Sequence, residues 1–575
     1  MFPSRRFITS APRAVVLGAG LVLLAACSRP DAPPTTPPAT AAKPVVASLR
    51  GEPRSFNRFA HADRATGLIA QLLHARLVQL NHRTQEIEPA LATAWTLAND
   101  GRTYTLTLRQ GVFFSDGAPF TADDVVFTFA ALYDPKGEGP LASGLKVNGQ
   151  PIAVRKVDAQ TVVLTLPAPF GPGLRLLNAL PILPAHKLRD ALARGEFAKA
   201  WSTATPPAEI VGLGPYVLRS YTPGERVELA RNPRYGARGP NIQPGVERLT
   251  LRIIPSQDAE RLALEAGELD IMNADIRPDD IRAVRALEAA GKVRIFDLGP
   301  AVDEDALWFN LGPDARKPAA ARPWLATAVR RAVAHAVNRA EFVNTVYLGA
   351  GVVADGPVPP GNRAWYTDKV PRYPHDTAQA RALLTGAGLK DVNADGIFET
   401  SAGRPLTIEL LTQRGHAIRE RAAEVIASDL EDAGLTVDVV RLDLPALVER
   451  LTKGTYDAAY FAISASDTDP SSNLDYWLSS GSFHVWHPRQ KTPATPWEAE
   501  IDRLMHELTG LTDQRERRLR FDRVQQILAT ELPTISFAAP SLVTATSTRL
   551  EGLEPAVIHP YVLWRADTMR LAPPR

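Results

Sequence analysis

Residues able to do chemistry are spread thinly along this chain of 575 residues, and none falls into a catalytic pattern. There is no Gly-x-Ser-x-Gly elbow, no phosphate loop ending in Gly-Lys-Ser/Thr and no His-Glu-x-x-His. Gly212-Leu213-Gly214 lacks the third glycine of a dinucleotide loop and runs into Pro215. Asp391-Val392-Asn393-Ala394-Asp395-Gly396 begins like a calcium loop, but its twelfth position is Ala402, so a solvated turn is expected. His484 and His487 lie three apart, a spacing that shares a face only on a helix. No third ligand stands near them, so a loop pair is expected and no metal or other cofactor. What remains is chemistry of binding: aromatic surface, hydroxyls and a few carboxylates. The segment Ser464-Ala465-Ser466-Asp467-Thr468-Asp469-Pro470-Ser471-Ser472 is the richest in it, with Trp308 and Trp486 as apolar walls.

The elements that must position these residues alternate between strand and helix, which predicts α/β lobes. Tyr104, Leu106 and Leu108 alternate with threonines as in a half-buried strand, after a hairpin signal at Asn99-Asp100-Gly101. Ser115-Asp116-Gly117 reads as a turn, and Thr121 with Asp124 as a capping box. Leu249, Leu251 and Ile253 predict a strand with one wet face. Ser256 then caps a helix whose stripe is Ala259, Leu262, Ala263 and Ala266. Pro323 opens a helix carrying Leu325, Val329, Ala332, Val333, Ala336 and Val337. A further helix buries Ile418, Ala422, Val425, Ile426 and Leu430, ends near Gly434, and hands on to a strand at Thr436–Val440.

Arg5, Arg6 and Arg13 precede an apolar run from Ala14 to Ala26, shorter than the roughly 20 residues a spanning helix needs. That is the pattern of a secretory leader. Leu24-Ala25-Ala26-Cys27 resembles the lipobox of bacterial lipoproteins, with Cys27, the only cysteine, as the acylated residue. Residues 28–44 are small and Pro-rich and read as a tether. An exported protein held by lipid to a bacterial membrane is expected, on the periplasmic side in a Gram-negative host. The body beyond residue 27 is too long for one core, so two or three domains are expected. The whole chain carries +2, and without the three leader arginines it sits near −1, which argues against a nucleic-acid partner. A monomer is expected.

One stretch is more specific than any of these. Pro89-Ala90-Leu91-Ala92, Trp95, Asp100-Gly101 and Tyr104-Thr105-Leu106-Thr107-Leu108-Arg109-Gln110-Gly111-Val112 are followed by Phe114-Ser115-Asp116-Gly117-Ala118-Pro119-Phe120-Thr121-Ala122-Asp123-Asp124-Val125-Val126-Phe127. Further blocks are Gly212-Leu213-Gly214-Pro215-Tyr216, Pro223-Gly224, Arg231-Asn232-Pro233-Arg234-Tyr235, Leu307-Trp308-Phe309-Asn310, Val329-Arg330-Arg331-Ala332 and Ala336-Val337-Asn338-Arg339. Together they resemble the peptide/opine/nickel solute-binding proteins, family 5, which serve ABC importers. Gly236 stands where that family usually has tryptophan.

The resemblance implies a two-lobed periplasmic-binding-protein-like α/β fold of the cluster C type, with a subdomain inserted in lobe I. Lobe I would comprise about 45–87, 208–305 and 535–575, the insert 88–207, and lobe II 306–534. The solute would lie between the lobes and pass to ABC permease subunits. No enzymatic activity is implied. An oligopeptide-like solute leads; an opine, a sugar oligomer, or a nickel or other metal chelate is the alternative. In peptide carriers of the family, an acidic residue four places before Pro470 receives the peptide α-ammonium; here Ser466 holds that position and Asp467 follows it. The first-strand segment Glu52-Pro53-Arg54-Ser55-Phe56-Asn57 would line the cleft, which adds Glu52 and Ser55 to Trp308, Asn310, Ser466, Asp467, Asp469 and Trp486 as candidate ligand contacts. His484 and His487 would sit near the cleft mouth.

Overall fold

The computed structural model describes residues 43–136, 139–399, 403–463 and 467–573. Cys27, the tether as far as residue 42, and Ser466 lie outside the described residues.

Two sheets and the strand between them set the architecture. In the first, Val45–Leu49 runs parallel to Arg248–Ile253, which pairs antiparallel with Arg226–Arg231 and that in turn with Tyr216–Thr222. In the second, Thr436–Leu442, Thr407–Gln413 and Ala458–Phe461 are parallel, followed by Ala306–Phe309 and Thr534–Ser536 in antiparallel register. The strand Ala538–Ser547 belongs to neither. It pairs with Val293–Pro300 through Ser541–Ser547 and with Gly351–Val353 through Ala538–Pro540. The chain therefore crosses between the two halves twice, outward through residues 301–305 and back through Phe537. The crossings are neighbours: Ala306 pairs with Ser536, and the Ala301 amide donates to the Pro540 carbonyl at 2.8 Å.

A separate antiparallel sheet holds Ala92–Leu97, Thr103–Leu108, Thr161–Thr165 and Ala153–Lys156. Its central strand buries Tyr104, Leu106 and Leu108 as the alternation predicts. Gly101 takes the positive φ of 67° that the hairpin turn requires. Thr121 and Asp124 form both bonds of the capping box and start the helix Ala122–Leu132.

Two helices depart from expectation. Gln257–Glu265 is capped by Ser256, but it buries Glu260, Ala263 and Leu264 while Leu262 points outward, 55% exposed. The reason is polar: Glu260 is drawn inside to accept from the Ser48 hydroxyl and from Arg50 Nε at 2.8 Å, which turns the helix about its axis. Pro323 opens only a 3₁₀ turn, Pro323–Leu325, and the helix proper is Thr327–Ala336. Its guanidinium Arg330 is buried to hold the Trp324 carbonyl at 2.6 Å and the Glu531 carbonyl at 2.9 Å.

Burial separates into distinct cores. The largest joins residues 45–78, the inserted sheet and 210–251 to Leu550, Val562, Leu563, Ala566 and Met569 from the far end of the chain. Two others are built from 306–538. The first core also buries imidazoles. His82 stacks on Trp564 with centroids 4.8 Å apart, its Nδ1 against the Ile558 carbonyl at 2.9 Å. Burial pushes its pKa down to about 3, with help from Arg76, His559 and Arg175 and against the carbonyl bond. A histidine neutral in the fold contributes stability that is present above pH 6.5 and lost as pH falls toward 3. His82→Gln is expected to flatten the acid limb of the stability profile by about 2 kcal/mol at pH 5. Urea unfolding of both proteins at pH 7 and pH 5 checks it, and an unchanged acid limb contradicts it.

Candidate functional site

A cavity of about 1070 Å³ lies where the inserted region, the crossings and the second half of the chain meet. Its walls follow from local structure. Helix Leu444–Lys453 is capped by Asp443 and stopped by Gly454 in the left-handed region. Leu444, Leu447, Val448 and Leu451, at helical spacing, all face the cavity, and Leu444 and Val448 are about half exposed there. Leu141, Leu145, Phe170 and Leu176 supply apolar surface from the inserted region.

The strand Ala306–Phe309 places Trp308 on the wall, with its Nε1 donating to the Phe461 carbonyl at 3.0 Å. Trp486 stacks behind it at 6.0 Å, fully buried, and Tyr476 meets both rings edge-on at 5.6 Å. Tyr476 and Phe461 share the wall with Trp308; Trp486 supports it from within.

The acidic segment is held by two arginines. Asp467 accepts from Arg175 at 2.7 Å, and Arg175 also donates to the Gln85 carbonyl at 2.9 Å and to Thr468 Oγ1 at 2.5 Å. Asp469 takes two bonds from Arg517, at 2.7 and 2.9 Å, and caps the following turn through the Ser471 amide at 2.9 Å. Arg517 is 2% exposed, donates to Ser471 Oγ at 2.9 Å and lies over Trp365 at 4.9 Å. Asp467 lines the cavity with one oxygen committed, whereas Asp469 is consumed in holding the loop.

Three more candidates are not on the cavity wall. Glu52 is exposed and accepts from Tyr221 Oη at 2.6 Å and from the Gly224 amide. Ser55 donates to the Trp201 carbonyl at 3.0 Å and accepts from the Asn57 amide at 3.0 Å. Asn310 is fully buried, donates to the Gly454 and Tyr456 carbonyls at 2.9 and 3.0 Å and accepts from the Gly312 amide at 3.0 Å. Ser55 and Asn310 spend their polar atoms on backbone, Asp469 on Arg517 and Glu52 on Tyr221 and Gly224, so with Trp486 these residues belong to the frame and not to the cavity wall. His484 is buried as well, not at a mouth. It and His487 converge on Glu498 at 3.2 and 3.6 Å, and Gln490 joins them at 3.0 Å. Burial raises the Glu498 carboxyl, and these three side chains more than offset that and hold it well below the usual carboxylate range. Asp391, Asp395 and Glu399 cluster in their loop, where Asp391 accepts from the Gly396 amide and Glu399 from the Val392 amide, as turn chemistry requires.

The residue that sequence reasoning passed over is Glu304. It lies on the outward crossing and lines the cavity. Both carboxylate oxygens are shut off from solvent, and neither completes a hydrogen bond. Burial raises its pKa to about 8; the Ser536 hydroxyl beside it lowers it in part, and Asp305 and Asp303 raise it further. A carboxyl kept from water without a partner is expensive when charged. Asp305 is itself answered by Arg419 at 2.8 Å; Glu304 is not.

The family profile of bacterial extracellular solute-binding proteins, family 5 (middle), matches residues 86–484. Heme-binding protein A of Haemophilus influenzae is 27% identical, over 84% of this chain and 84% of that protein. Oligopeptide-binding protein AppA of Bacillus subtilis is 26% identical, over 92% and 93%. The solved structure of AppA in complex with a nonapeptide superposes with a TM-score of 0.67 at 25% identity, covering 92% of this chain and 99% of AppA.

Proposed function

The chain belongs to the bacterial extracellular solute-binding proteins of family 5, and from that premise we propose that it captures oligopeptide-like solutes outside the cytoplasm and delivers them to an ABC permease. The observation that carries this reading is the cavity: about 1070 Å³, walled by apolar side chains from both halves, with polar groups at few points. The two lobes would turn about the two crossings, 301–305 and Phe537, which lie beside one another; the second sheet keeps Thr534–Ser536, so the return crossing falls a little later than 534/535. Arg175 reaching Asp467 and Thr468 across the cavity is a strap that closure forms. Solute binding would favour the closed form only through contacts absent from the open one.

The experiment is mass spectrometry of solute released from gently purified protein, with calorimetry against a di- to hexapeptide library. Peptides recovered and bound support the reading. Haem or a metal chelate recovered alone, with no peptide binding, overturns the peptide assignment.

Cys27 would carry the lipid that holds the receptor at the membrane, with residues 28–44 as its leash. Cys27→Ser is expected to move the protein from the membrane fraction to the soluble extract on fractionation. Retention in the membrane fraction contradicts it. Among the described residues no helix is long and apolar enough to cross a membrane.

A further inference from the structure

We propose that Glu304 receives the cationic group of the solute, an ammonium or a guanidinium, in place of the carboxylate that Ser466 lacks. The inference rests on the receptor reading and adds which residue selects the solute's charge.

Three observations carry it. First, the two acidic residues nearest the expected position are already answered: Asp467 by Arg175 at 2.7 Å, and Asp469 by Arg517 at 2.7 Å. Second, Glu304 is a buried carboxyl in the cavity wall whose two oxygens take no hydrogen bond, while its neighbour Asp305 is paired with Arg419. A desolvated carboxylate becomes stable when a cation pairs with it in hydrogen-bonding geometry. Third, the surroundings suit a cation. Trp308, Tyr476 and Phe461 stand on the same wall, and aromatic faces attract ammonium and guanidinium groups. Asp303 and Asp475 line the cavity too; of its three bases, Lys146, Arg175 and Arg419, the two arginines are committed to Asp467 and Asp305.

The position adds a consequence. Glu304 sits on the outward crossing, beside Ser536 at the start of the return crossing. A cation held there is gripped at the hinge itself, so selection of charge and closure occur at one place.

The test compares wild type, Glu304→Gln and Asp467→Asn. Each is presented with a tripeptide library having free amino termini and with the same library N-acetylated, and bound members are counted by native mass spectrometry. Wild type is expected to prefer the free amines by about 10–100-fold and Glu304→Gln to lose that preference while still binding; Asp467→Asn, which loosens the Arg175 strap, is expected to bind both libraries more weakly but to keep the ratio between them. Loss of the preference in Asp467→Asn alone, or its survival in Glu304→Gln, overturns the proposal. A second arm separates this from failure of the peptide reading: thermal shifts with butylammonium and butylguanidinium, and with butyramide as the neutral control. Stabilisation of wild type but not Glu304→Gln by the cations supports the proposal even if no peptide binds. No cation-specific stabilisation of wild type, together with no peptide preference, overturns it.

Discussion

Arg517→Ala is expected to destabilise the protein by about 3–5 kcal/mol, because it strands a buried carboxylate rather than merely removing a contact. The side chains of Arg517 and Asp469 are 2% and 4% exposed and share two hydrogen bonds. Deleting the guanidinium leaves Asp469 charged and without its cation, and also frees Ser471 and the face of Trp365. The loop from Asp467 to Asn473 forms cavity wall, so solute binding should fall with stability. Denaturant unfolding followed by circular dichroism measures the first effect, and calorimetry the second. The double variant Arg517→Met, Asp469→Leu removes both charges and should recover most of the lost stability. A single variant as stable as wild type, or a double variant no better than the single, contradicts this account.

Raising the pH from about 4.5 to about 8 is expected to cost the ligand-free protein up to about 5 kcal/mol through Glu304 alone. The fold holds this carboxyl neutral, whereas the unfolded chain ionises it near pH 4.5. Its contribution is therefore complete below pH 4.5 and is lost as pH rises through 8. Asp303 and Asp305 face it with the same sign, Tyr347, Tyr460 and Tyr476 surround it, and Arg419 is spent on Asp305. Glu304→Gln should thus be more thermostable than wild type at pH 8 and nearly equal to it at pH 4.5. Melting curves of both proteins across that range decide it; parallel profiles contradict the prediction. A group that weakens the ligand-free protein and is relieved by cargo is a usual mark of a binding residue.

Local chemistry made much of the fold legible. The Thr121 capping box, the Asn99-Asp100-Gly101 turn and the alternation at Tyr104–Leu108 each follow from neighbours in sequence, and each is present. The site was less legible because its partners are remote in sequence. Nothing near Asp467 announces Arg175, 292 residues away, and nothing near Asp469 announces Arg517, 48 residues away. Asp303-Glu304-Asp305 carries no signal of burial in its own sequence, and the pairing of Ala306 with Ser536 is what brings the return crossing beside its middle member. Glu260 misled for the same reason, since its partners Ser48 and Arg50 lie in a distant strand. The tryptophans were half legible: composition flags both, but only packing tells Trp308 on the wall from Trp486 behind it.

The core that holds residues 45–78 is completed by Leu550, Val562, Leu563, Ala566 and Met569. A ribosome has almost finished its work before those side chains exist. The segment 306–538 can condense as soon as it is made, because its apolar partners lie within it. The amino-terminal half must wait for the last codons, and closing so long a loop is slow. Until then that half holds an unfinished core, while its later-made partner has closed its own.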